Sequence, residues 1–250
     1  MEAVPRRLTF GAHADAYERA RPAWPEQAAR WLVPDDAELV VELGAGTGKL
    51  TRAVAALGVR VVAVEPDPRM LAVLRGLELE GVEGSAEAIP FGDAVADAVV
   101  AGSSVHWFEL DRALPEIHRV LRPGGRFGFG WNHRDDRHPT IARMGDAVHA
   151  AQRRVRGPGW RSRDWAVDLT ATGLFRNVER ASFEHVLELP REALRDHMLS
   201  YSVVAALPED ERRRAFADVA RLLDSDESVS GDGRLRLPFV VTAYRAERSG

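Results

Sequence analysis

Two carboxylates stand around a run of alternating glycines early in this chain: Val40-Val41-Glu42-Leu43-Gly44-Ala45-Gly46-Thr47-Gly48, with Glu65 closing the next apolar run. Glycine at alternate positions lets a backbone turn tightly against a ligand that any Cβ would push away. A carboxylate accepts two hydrogen bonds and so suits the vicinal diol of a ribose. The chemistry open to these residues is recognition of a nucleoside. Spacing narrows the ligand. A dinucleotide fingerprint needs a third glycine one residue after Gly48, where Lys49 stands. A phosphate-cradling loop needs glycine at Leu43 and Ser or Thr at Leu50, so that reading fails. Downstream, His106 could take a proton from an attacking hydroxyl or carbon acid, because its ordinary pKa lies near neutrality. It could equally serve as a hydrogen-bonded support behind such a site.

The elements that must position these residues follow from hydropathy. Leu39 to Leu43 is short and apolar, as a buried strand should be; Leu50, Ala53, Val54 and Leu57 recur at helical spacing, with Gly58 as the stop. Val59 to Val64 is the next strand. Asp67 can cap, and Pro68 begin, a helix carrying Met70, Leu71 and Leu74. Ala96 to Gly102 reads as a strand, and a helix with Leu114, Ile117, Val120 and Leu121 ends at Arg122-Pro123-Gly124-Gly125 before the strand Arg126 to Trp131. In the last third, a strand lies within Phe175 to Leu187, helices over Pro190 to Val203 and Pro208 to Leu223, and a closing strand over Leu235 to Ala246. Helices between two sheet strands are expected to cover the carboxyl ends of a parallel sheet, where such folds bind substrates.

Glu-x-Gly-x-Gly-x-Gly followed by an acid at the end of the next strand resembles the class I (Rossmann-like) S-adenosylmethionine-dependent methyltransferases, in their small-molecule, type 11-like subgroup. The resemblance implies an α/β fold, a doubly wound and mostly parallel seven-stranded sheet with a small helical cap. It implies that Gly44, Ala45, Gly46 and Gly48 line the cofactor, that Glu42 sits near its ammonium, and that Glu65 accepts both ribose hydroxyls. Pro66 and Met70 would flank the ribose and adenine. Gly84-Ser85-Ala86-Glu87-Ala88-Ile89-Pro90-Phe91 is similar to the family's adenine-contacting loop, which gives Ser85, Ala86 and Glu87 to the base. In Ser103-Ser104-Val105-His106-Trp107-Phe108, Ser103 would lie at the cofactor's reactive end and Trp107 would wall a sulfonium, attracting it through the ring quadrupole. His106, Trp107, Trp131 and Arg154 are the candidate substrate residues, and His106 the candidate catalytic one. The segment Phe10 to Pro25 resembles the helix preceding the core, so Tyr17 and Arg21 would hydrogen-bond the methionine carboxylate; Trp24 replaces the family's second tyrosine. The implied units are residues 1–34, a helical segment over the cofactor; 35–187 with 234–250, the core; and 188–233, the cap. The implied reaction is direct displacement of the methyl group onto an O, N or C nucleophile, leaving S-adenosylhomocysteine.

Composition sets outer limits. The chain has 250 residues, is 45% hydrophobic, and holds no cysteine, which removes disulfides, thiolate zinc sites and a cysteine nucleophile. A net charge of −4 gives no global basic field for nucleic acid. No stretch reads as a membrane span or signal peptide, so a cytoplasmic protein, monomer or homodimer, with a small-molecule acceptor is expected. Scattered histidines such as His133 and His138 form no metal ligand set, and Asp224-Ser225-Asp226-Glu227-Ser228 lacks the glycine of a calcium loop. Arg153, Arg154, Arg156, Arg161 and Arg163 around Gly157-Pro158-Gly159-Trp160 read as a solvated face or as a lid for an anionic substrate. Two rivals stay open: a noncatalytic sensor of the same cofactor, and an NAD-linked oxidoreductase, for which no Tyr and Lys proton-donating pair is evident.

Overall fold

The computed structural model describes residues 18, 21–152, 163–201, 204 and 207–250, so Tyr17, Arg154 and most of the arginine cluster lie outside the described residues. Strands β1 (Leu39–Leu43), β2 (Arg60–Glu65), β3 (Gly81–Glu83), β4 (Ala96–Gly102) and β5 (Leu121–Arg134) pair in parallel in the order β3-β2-β1-β4-β5. β1, β2 and β4 are nearly continuous buried apolar runs, the pattern required when helices cover both faces of a parallel sheet. Helices α1 (Glu26–Leu32) and α2 (Lys49–Ala55) cover one face, where Trp24, Leu32, Leu50 and Val54 pack on Val40, Val61 and Val100. α4 (Leu110–Val120) and α6 (Trp165–Ala171) cover the other, where Leu114, Ile117, Trp165 and Leu169 meet Val41, Val99, Phe127 and Phe129. α3 (Pro68–Gly76) joins β2 to β3.

The sheet continues with antiparallel β8 (Arg234–Arg248) beside β5 and β6 (Phe175–Pro190) at the edge. Both strands run on past the sheet. Their far ends, Leu187 to Pro190 against Arg234 to Leu237, carry a separate apolar cluster with α7 (Leu194–Leu199) and α8 (Glu209–Asp224). Its buried members include Leu189, Met198, Val219, Leu223, Leu237 and Phe239, and Ile141 and Met144 of α5 (Pro139–Gln152) join them, so the cluster reaches back beyond residues 188–233.

Three details depart from expectation. Ser230–Gly231 pairs with Leu235 and Arg234 as a two-residue β7, giving eight strands where seven were expected. Pro190 ends a strand instead of opening a helix, because pairing with β8 outweighs the helical pattern that resumes at Leu194. Leu121 already pairs with Ala96, and the ladder resumes at Arg126 opposite Ala98, so Arg122 to Gly125 loops out of the strand as a bulge.

Phe127 is fully buried, stacks on Phe129 with ring centroids 5.0 Å apart and packs at a tilt against Phe175 at 5.7 Å. Truncating it removes contacts on the inner face of the sheet that rigid strands cannot close over. Phe127→Ala should lower unfolding free energy by about 3–5 kcal/mol; urea denaturation with an unchanged midpoint would contradict this packing.

Candidate functional site

The glycine turn closes on Glu65. Gly44 donates its N–H to the Val64 carbonyl at 2.8 Å and sits at φ +64°, where an added Cβ would lie 2.7 Å from Ser104 Cβ. Gly46, at φ +60°, donates to Glu65 Oε2 at 2.7 Å, while Asp67 N–H donates to Glu65 Oε1 at 2.9 Å. Among the described residues, a Cβ on Gly46 would meet nothing within 4 Å, which leaves open space on that side of the turn. A carboxylate offers about four acceptor positions, and the two amides use half of them. Burial raises the Glu65 pKa against the opposing pull of those amides, with the Asp67 charge adding to the rise.

Glu42 lies one strand away and is deeper, only 1% exposed, with the Thr51 hydroxyl donating to Oε2 at 2.5 Å. Burial, reinforced by the charge of Glu65, pushes its pKa to about 8 despite the Thr51 hydrogen bond. At neutral pH the free protein therefore holds this acid protonated. Asp67 caps α3 by accepting from Arg69 N–H at 3.0 Å, and Met70 is buried one turn in, with Pro66 half-buried beside the acid.

The neighbouring loop is pinned from below. Ser85 bridges to Ala88, Ala86 is buried, and Glu87 Oε1 accepts the Glu109 N–H at 3.0 Å. Arg119 donates to the carbonyls of Ile89 and Phe91 at 3.2 and 2.9 Å and pairs with Glu116. From the N-terminal side, Glu18 accepts from Thr47 Oγ1 at 2.6 Å and pairs with Lys49 at 3.1 Å and with Arg52, tying that segment to the turn. Arg21 is placed against the cap: its Nη2 donates to the Ser200 carbonyl at 3.1 Å and its guanidinium lies 4.3 Å from the Tyr201 ring centroid.

Beyond β4 the backbone is strained at Ser103, a non-glycine residue at φ +58°, whose N–H donates to Gly130 O at 2.7 Å. Such a conformation costs on the order of 1–3 kcal/mol and gathers at functional sites. Ser104 Oγ donates to Leu43 O at 2.8 Å, locking this corner to the glycine turn. His106 sits on the short 3₁₀ turn Val105–Trp107, its ring 4.8 Å from that of Trp107. The Trp131 indole donates to His106 Nδ1 at 3.0 Å. An indole N–H can only donate, so Nδ1 carries no proton and the neutral ring bears it on Nε2. A general base acting through Nε2 would need the opposite tautomer, which this contact opposes. Asn132 donates from Nδ2 to Ala23 O at 2.9 Å and accepts from His185 Nε2 at 2.8 Å; burial pushes the His185 pKa below its ordinary value.

These residues meet at the carboxyl ends of β1, β2, β4 and β5, where open α/β sheets bind ligands. A cleft of about 160 Å³ lined by Arg30, Asp35, Leu57 and Gly58 lies at the opposite, amino-terminal ends of β1 and β2. Glu18, Thr51, Ser104, Asn132 and His185 carried no signal in the sequence, since each acts on a partner far along the chain or in another element. Among the described residues no His, Asp and Glu cluster could hold a metal ion, and no helix is long and apolar enough to cross a membrane.

Residues 41–129 match the model of a methyltransferase domain. The chain is 38% identical over 241 residues to an uncharacterized methyltransferase of Mycobacterium tuberculosis, covering 96% of this chain and 95% of that one. A solved structure proposed to be a type II methyltransferase, from Anaeromyxobacter dehalogenans, superposes with a TM-score of 0.67 at 25% identity, covering 91% of this chain and 97% of that one. The fold is also similar to phosphoethanolamine N-methyltransferase 2 of Haemonchus contortus in complex with S-adenosyl-L-methionine, with a TM-score of 0.58 at 14% identity over 100% of this chain and 61% of that one.

An unfolded Glu42 ionises near 4.5, whereas the folded one holds its proton to about 8. Between those values the folded state binds more protons than the unfolded, so stability falls as pH rises through that window. Glu42→Gln should flatten this decline, to which Glu42 contributes up to about 1.4 kcal/mol per pH unit in the wild type; equal slopes in paired denaturation series from pH 5 to 8 would refute the assignment.

Proposed function

The chain belongs to the class I S-adenosylmethionine-dependent methyltransferases, and from that premise we propose that it methylates an O, N or C nucleophile of a small-molecule acceptor. One observation carries the reading of the site: Glu65, at the end of β2, holds the Gly46 and Asp67 amides and keeps acceptor capacity beside the open side of the glycine turn. That arrangement fits a ribose diol. It supports Glu65 as the ribose acid, Glu42 as the partner of the methionine ammonium, Pro66 and Met70 at the ribose and adenine, and Ser85 to Glu87 at the base edge. When bound, S-adenosylmethionine supplies a methyl carbon on a sulfonium leaving group and departs as S-adenosylhomocysteine.

The chain's own residues then contribute alignment and dehydration. Glu42 would release its proton to solvent as an ammonium is bound, becoming a buried counter-charge. Trp107 presents a ring quadrupole to positive charge and excludes water. Ser103 and Asn132 fix the backbone at the reacting end, and Ser104 holds that corner at its set distance from the turn. His106 is proposed as an orienting donor through Nε2, held by Trp131, and Trp131 as a substrate-side wall. A modest net charge and a helical cap favour a small acceptor over a polyanion.

Incubation with methyl-labelled cofactor and a pool of metabolites should yield a labelled small molecule; cofactor uptake without product would mark a sensor instead. Glu65→Ala should weaken S-adenosylhomocysteine binding roughly ten- to hundredfold, the range for losing charge-assisted hydrogen bonds, with circular dichroism unchanged. His106→Ala should lower kcat about a hundredfold through lost alignment. His106→Gln, which keeps a donor, should recover part of that rate; a Gln variant as slow as Ala would count against an orienting role.

A further inference from the structure

Arg134 ends β5 and is only 5% exposed. Its Nε and Nη1 are shut away from solvent with no hydrogen-bond acceptor, and among the described residues no acidic side chain pairs with it. Its guanidinium lies 4.7 Å from the centroid of the Tyr201 ring, the ring that Arg21 also approaches, at 4.3 Å. Arginine keeps its charge when buried, and a ring face offers quadrupole attraction but no acceptor for in-plane N–H groups. A buried cation without an anion is costly. The Arg134 guanidinium is the unfilled half of an ion pair. Each of the two edges of the fork that can grip a carboxylate contains one of the unsatisfied nitrogens.

Register places this group on the acceptor side. Glu42 is level with Val100, and Gly102 with Gly130, so Gly130 stands level with Gly44 two strands away. Arg134 is four residues further along β5, about 13 Å beyond that level, past His106 and Trp131 and under the cap residue Tyr201. We propose that Arg134, with Arg21 beside it, is the anion receptor of the acceptor pocket, and that the acceptor carries a carboxylate. The word acceptor rests on the methyltransferase reading; the carboxylate receptor does not.

The test titrates the 250-residue chain, with and without S-adenosylhomocysteine, with succinate and benzoate and with the neutral analogues succinamide and benzamide. At least one carboxylate should bind saturably and raise Tm, and its amide should not. Arg134→Gln should weaken that binding about thirtyfold or more, Arg134→Lys should restore part of it, and both should hold S-adenosylhomocysteine within about twofold of the wild type. The proposal is overturned if no carboxylate binds, if Arg134→Gln binds it as well as the wild type, or if the variant loses S-adenosylhomocysteine in the same proportion, which would give the guanidinium to the cofactor's own carboxylate. Failure of the wild type to bind S-adenosylhomocysteine would sink the methyltransferase site while leaving the cofactor-free titration to decide on the receptor. Arg134→Lys and circular dichroism guard against a folding defect.

Discussion

A carboxylate can be buried at the edge of a parallel sheet only if something replaces the water it loses, and the site is organised around two different answers to that demand. Glu65 takes amide N–H groups on both oxygens, from Gly46 and Asp67. The glycine turn thus also helps to solvate the acid. Glu42 has the Thr51 hydroxyl and the like charge of Glu65 nearby, and it answers by keeping its proton. Two acids on adjacent strands are thereby separated in role without any difference in residue type. One is solvated by backbone amides and keeps acceptor capacity, and the other is satisfied by a single hydroxyl and its own proton.

The sheet supplies the geometry for this. β1 stands between β2 and β4, so the chain leaves β1 and β4 toward opposite edges and the crevice opens between them. Ser104 bonded to the Leu43 carbonyl spans that crevice at its floor. The last two long strands do double duty, since β6 and β8 complete the sheet and then extend to carry the apolar cluster of the cap. The cap is therefore anchored to the strand beside β5, on whose end Asn132 and Arg134 lie. Arg21 bonded to Ser200 links the segment before α1 to that cap.

Legibility in the sequence followed the range of each interaction. The strand, turn, helix and strand from Leu39 to Glu65 could be read because period, glycines and acid lie within one short unit, and the Asp67 cap because it acts two residues on. The break at Arg122 to Gly125 was marked by proline and glycine, although its course as a bulge depends on Leu121 meeting Ala96. The strand end at Pro190 and the two-residue β7 were hidden, since both exist only by pairing with β8. Asn132 reaching Ala23, and Arg134 reaching Tyr201, join residues far apart in the chain, and no local pattern announces such contacts.

The histidine shows how a partner can reverse the chemistry a residue type suggests. An imidazole beside a reacting centre invites the reading of a base, because its ordinary pKa is near neutral. The ring in this fold has one nitrogen facing an indole, a group that donates and cannot accept. Protonating that ring would set two N–H groups against each other, so the contact favours the neutral form. It also fixes which nitrogen keeps the hydrogen. His106 is thus held as a donor by Trp131, and Trp131 is held by its packing on Phe129, Trp165 and Tyr244. The tautomer of His106 is thus set by the aromatic packing of the β5 face, acting through the Trp131 indole.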